Sequence, residues 1–68
     1  MLKPKSNELK RIREEKGLSK HGLSKKACLG PLAITRMEEG LHMVHPLRAK
    51  AVAEVLECDI KEIFEVKE

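Results

Sequence analysis

The strongest constraint in this chain is the closeness of two apolar pairs, Leu23 with Ala27 and Ile34 with Met37. Their i, i+4 and i, i+3 spacings each mark one face of a helix. Only the few residues around Cys28 to Gly30 separate the two segments. A connection that tight holds two helices at a steep angle and leaves the second free to project. The chain has 68 residues, enough for one domain, and a chain of this size buries only about 60% of the surface its unfolded form exposes. Leu, Ile, Val, Ala and Met with abundant Lys, Arg and Glu point to a small all-α bundle.

Three more helices follow from the rest of the pattern. "MLKPK" reads as a flexible basic leader over residues 1–5, frayed and discouraged from helix by Pro4. Ser6 is a good N-cap with Glu8 in the first turn, and Leu9, Ile12 and the Lys16 stem line one face, which predicts a first helix over roughly 7–16. Gly17 supplies its stop. Ser19 caps the second helix, whose third position is Gly22, where a capping box would place Glu or Gln. A Gly in an exposed helix interior costs roughly 0.5–1 kcal/mol relative to Ala, so this helix depends on tertiary packing. Gly30 as N-cap and Pro31 at the first helical position open the third helix, and Gly40 ends it. His45 and Pro46 repeat that arrangement for the fourth, whose Ala49, Val52, Ala53 and Leu56 form the strongest periodic stripe in the chain. Asp59 with Glu62 starts a last short helix bearing Ile60, Ile63 and Phe64. No segment carries a strand signal. The expectation is a compact five-helix bundle over 6–65 with a tail at 66–68.

Composition narrows the function. Phe64 is the only aromatic residue, which argues against a stacking platform for single-stranded nucleic acid. Cys28 and Cys58 make neither a disulfide framework nor a zinc set; they read as two reduced, partly buried thiols in a cytosolic protein. "His42-Met-Val-His45" lacks the helical i, i+4 spacing of a metal pair and reads as loop, so no metal or cofactor is expected. No serine or cysteine has an evident base partner, against an enzyme, and no long apolar run suggests a membrane partner. Residues 1–26 carry nine Lys and Arg against three Glu, whereas residues 27–68 carry five against eight acids. The basic half either faces a polyanion or solvates helix surfaces; composition alone favours the second.

The ordered set of these features resembles a known family. The run "LKRIREEKGLSKHGLSKKACLGPLAITRMEEG" is similar to the Cro/repressor-type helix-turn-helix domain, also called the XRE family. "HPLRAKAVAEVLECDIKEIF" continues the likeness through that family's fourth and fifth helices without a gap. The resemblance covers roughly residues 6–65, with the motif at about 19–38. Leu23, Ala27, Leu29, Ile34 and Met37 fall where the family holds its two motif helices together, and "RMEEG" and "DIKEIF" resemble the endings of its third and fifth helices.

That resemblance implies a phage-repressor-like regulator of transcription that binds double-stranded DNA, with the third helix in the major groove and the second across the backbone. It assigns Lys20 to the backbone, where the family usually has Gln, and turns Lys25 and Lys26 toward the DNA. It places Gly30, Pro31, Leu32, Ala33, Thr35 and Arg36 toward the groove. Arg36 has two readings of equal weight: a bidentate contact to guanine, worth about 1–3 kcal/mol of discrimination, or a phosphate contact or pair with Glu39. The likeness also suggests a cytoplasmic, nucleoid-associated repressor of prophage, mobile-element or bacterial origin. It would act as a homodimer on two half-sites, with Ile60, Phe64 or Val66 available to the dimer.

Three departures from the family stand out. Gly-Pro-Leu-Ala occupies the start of the reading helix, where polar residues are usual. Leu32 and Ala33 there suit thymine methyl groups. Alternatively Leu32, with Leu41, Met43 and Val44, forms an apolar third-helix face for a protein partner, as in an antirepressor or assembly module. Cys28 stands where the turn favours a left-handed Gly, at a cost on the order of 1 kcal/mol. The loop "LHMVH" lacks phosphate-binding Lys and Arg, for which free N–H groups at the start of the third helix could compensate.

Overall fold

The computed structural model describes residues 1–40 and 42–66. In chain order it comprises β1 (Leu2–Pro4), α1 (Ser6–Glu15), α2 (Lys20–Lys26), α3 (Ala33–Glu39), α4 (Pro46–Leu56), α5 (Ile60–Ile63) and β2 (Phe64–Val66). The five expected helices are present, and the apolar pairs that defined them converge. Leu9 and Ile12, Leu23 and Ala27, Ile34 and Met37, and the whole α4 stripe are buried in one cluster closed by Ile63 and Phe64.

The absence of strands is corrected. Leu2–Pro4, expected to fray, pairs antiparallel with Phe64–Val66 in the register Leu2↔Val66, Lys3↔Glu65, Pro4↔Phe64. Leu2 also exchanges backbone hydrogen bonds with Val44, at 2.8 Å from its own N–H and 2.7 Å to its carbonyl. The ribbon forms because Leu2 and Pro4 both point inward while Lys3 points out, and because Lys3 stands opposite Glu65, a favourable cross-strand charge arrangement. For the same reason the last helix stops at Ile63, and Phe64 enters the core from a strand. Val66 belongs to β2 and not to a tail; positions 67 and 68 of the expected tail lie outside the described residues.

Local corrections share one cause, competition from tertiary contacts. Lys5, not Ser6, is the N-cap of α1; the Ser6 hydroxyl turns away to donate to the Met37 carbonyl at 3.4 Å. Lys16 is exposed, and Arg13 takes the buried place beside Leu9 and Ile12. Ser19 and His45 cap α2 and α4 as expected, accepting from the N–H groups of Gly22 and Leu47. Asp59 and Glu62 complete a capping box. Cys28 is exposed rather than partly buried. Cys58 is half-buried; burial, then the nearby Glu62 and Asp59 carboxylates, push its thiol above the ordinary range and keep it a neutral packing group. No helix among the described residues is long and apolar enough to cross a membrane.

Candidate nucleic-acid interface

The turn between α2 and α3 is built from backbone constraints. Ala27 ends α2, and Cys28 adopts φ 59°, the left-handed conformation expected at that position. Leu29 then donates to the Ser24 carbonyl at 2.9 Å. Gly30 to Ala33 form a turn closed by the Ala33 N–H on the Gly30 carbonyl at 3.0 Å. Pro31 sets the first central position of that turn, and Leu32, at φ −101° and ψ 4°, has the geometry of the second central position of type I. The expected helix start at Gly30-Pro31 is therefore corrected: Leu32 is the N-cap and Ala33 the first helical residue. A Gly-Pro pair suits a turn as well as a helix start, and the buried Ser24 decides between them. Its Oγ accepts from the Ile34 N–H at 3.1 Å, which fixes the second helical amide and leaves Pro31 outside.

That bond changes the anion-binding expectation. Of the first four amides of α3, those of Ala33, Ile34 and Arg36 already have partners within the chain. Side chains therefore have to supply most of any phosphate contact on this side.

Behind α3 the anchors are stiff. Ile34 and Met37 are buried, and Arg13 of α1 reaches Glu38 with Nε at 2.6 Å and Nη2 at 3.4 Å. The remaining guanidinium nitrogen of Arg13, Nη1, donates to the Leu18 carbonyl at 2.7 Å. Both side chains are less than a tenth exposed. Gly40 ends the helix at φ 70°, and a Cβ there would lie 2.8 Å from the Ser6 Oγ. The outward face of α3 is thus held from three sides and is itself free of these contacts.

The free face borders two concavities. The larger groove brings together Gly30, Pro31, Leu32, Ala33 and Arg36. His42, Met43, His45 and Arg48, from the segment between α3 and α4 and the first turn of α4, line the same groove. Among the described residues no Asp or Glu lines it. Thr35 lies on the other side of α3, in a small niche with Lys20, Asn7 and Lys10, and with Glu38 and Glu39. Lys25 lines neither and is exposed on α2. Arg36 makes no ion pair with Glu39 among the described residues, so it does not adopt the intramolecular pairing that was one of its readings.

One member of the expected apolar partner face is revised, and one is not tested. Val44 is buried through its bridge to Leu2, and Leu41 lies outside the described residues. Arg48 was missed by reading the loop alone. The chain places its cation one step later, in the first turn of α4, where the His45 cap and Pro46 set the helix phase. The position beside Ala49 on the edge of the buried stripe was the available signal.

A family model described as helix-turn-helix matches residues 9–63, from the first core residue of α1 to the end of α5. No curated protein matches the chain.

Proposed function

This chain belongs to the helix-turn-helix family of Cro/repressor-type domains, and on that premise we propose that it represses transcription by occupying double-stranded DNA with α3 in the major groove. The family is one of DNA-binding regulators rather than of enzymes. The observation that carries the reading is the outward face of α3, anchored from behind by buried contacts and bordered by a groove that, among the described residues, is lined by two arginines and no carboxylate side chain.

In this reading Gly30 to Ala33 lead into the groove, Arg36 contacts a guanine edge, and Thr35 with Lys20 reaches the backbone beside them. Lys25 adds a backbone contact from α2, and Arg48 serves as the phosphate anchor from the first turn of α4. A single module this small makes few contacts, so two copies bind half-sites one helical turn apart.

Fluorescence anisotropy titrations with duplex DNA test the proposal. Binding is expected to saturate and to weaken steeply between about 50 and 200 mM salt, because neutralised phosphates release counterions. Arg36→Ala should lower specific-site affinity by about 1–3 kcal/mol. Lys50→Ala, on the exposed side of α4 near Glu54, should change it far less. Equal effects from both would refute this docking.

A further inference from the structure

The exposed apolar side chains are not scattered. The described surface exposes four large ones, Met1, Leu32, Met43 and Leu47. Three of these, Met1, Leu32 and Met43, line the larger groove beside α3. Leu32 keeps 56% of its surface exposed at the turn leading into α3, and Met43 keeps 42% in the segment before α4. Ala33, whose small side chain leaves room beside Leu32, lines the same space. Among the described residues the charged side chains of the groove are Arg36 and Arg48, accompanied by His42 and His45. Its occupant must therefore carry small apolar protrusions on a polyanionic frame.

The major-groove edge of a thymine-bearing duplex is such an object: a C5-methyl group projects between two rows of phosphates. We propose that Leu32 and Met43 form a two-sided slot for a thymine methyl, making Met43 a specificity-determining residue and fixing thymine at one position of each half-site. The inference rests on the DNA-binding reading above. It also accounts for the apolar start of α3. The turn puts Leu32 ahead of the helix and in the groove lining, and the backbone bridge of Val44 to Leu2 anchors the segment that carries Met43.

The test replaces thymine by deoxyuridine, which removes only the methyl group. A preferred duplex is first selected by the wild-type protein from a random pool, and each thymine is then replaced singly. One position per half-site is expected to lose affinity about fourfold, the factor for one methyl-sized group withdrawn from water. In Leu32→Ala and in Met43→Ala that uracil penalty should shrink toward onefold, while overall affinity falls. Both side chains are substantially exposed, so both variants should keep the wild-type circular dichroism spectrum and melting behaviour. If no thymine is uracil-sensitive, or the penalty survives in both variants, the slot does not exist. Failure of the wild-type protein to enrich any duplex would instead remove the DNA-binding reading itself, and the slot with it.

Discussion

Among the described residues Cys28 and Glu57 are the two non-glycine residues with positive φ, 59° and 55°. A left-handed backbone costs an L-residue roughly 1–2 kcal/mol, and neither exposed side chain offers a buried contact in return. Glycine removes that strain but loses about 0.4–1 kcal/mol through the greater freedom of the unfolded chain. Cys28→Gly and Glu57→Gly should therefore each stabilise the domain by about 0.5–1 kcal/mol. Urea denaturation should show a higher midpoint at an unchanged slope. The reverse substitution has the opposite sign. Gly40→Ala would strain φ 70° and push a Cβ to within 2.8 Å of the Ser6 Oγ, so its midpoint should fall. The left-handed site at Cys28 was legible through the family resemblance, which sets Cys28 where the turn favours a left-handed Gly. The one at Glu57 was not, since nothing in "LECD" marks the end of α4.

At the scale of elements, α3 is positioned by two buried polar contacts from different helices. Arg13 and Glu38 exclude water from each other, so removing one partner strands a charge. Arg13→Met should cost about 3–5 kcal/mol, whereas the double variant Arg13→Met/Glu38→Leu should recover most of it by replacing the pair with apolar packing. A double-mutant cycle in urea separates these outcomes, and equal losses in both variants would mean that the guanidinium bond to Leu18 matters more than the pair. Ser24→Ala should cost about 1–3 kcal/mol by leaving the Ile34 amide buried and unsatisfied. It should also weaken DNA binding at temperatures where the variant is fully folded. Neither contact was readable in the sequence, because residues 13 and 38 or 24 and 34 share no local periodicity. What periodicity does reveal is a long, capped, one-sided helix such as α4, whose four-residue stripe is wholly buried. A three-residue strand offers a single alternation, too little to distinguish β1 from a frayed end. The start of α3 was misplaced by two residues because Gly-Pro satisfies two local rules at once, and a distant serine chooses between them.

Across the whole molecule, β1 lies between β2 and the segment that carries Met43 and Val44. The part of the groove lining that Met43 and Val44 supply is therefore tied to β2 through Leu2. A domain of this length has stability on the order of 5 kcal/mol, so that tie is a sizeable fraction of the total. Leu2 is nearly buried and makes a core contact together with the Val44 backbone pair. Leu2→Ala should cost about 2 kcal/mol through the lost packing, while Lys3→Ala, exposed and losing only the charge arrangement with Glu65, should cost less, about 0.2–1 kcal/mol. The more specific consequence is local. The Val44 amide, bonded to the Leu2 carbonyl at 2.7 Å, should exchange with solvent faster in Leu2→Ala than global unfolding accounts for. The Ile34 amide, held by Ser24, should keep to the global rate. Hydrogen exchange resolved by residue distinguishes these cases. Equal acceleration at Val44 and Ile34 would mean that the ribbon stabilises the domain as a whole and does not set the groove. Selective loss at Val44, with weaker discrimination of thymine from uracil, would locate one wall of the reading surface in the ribbon.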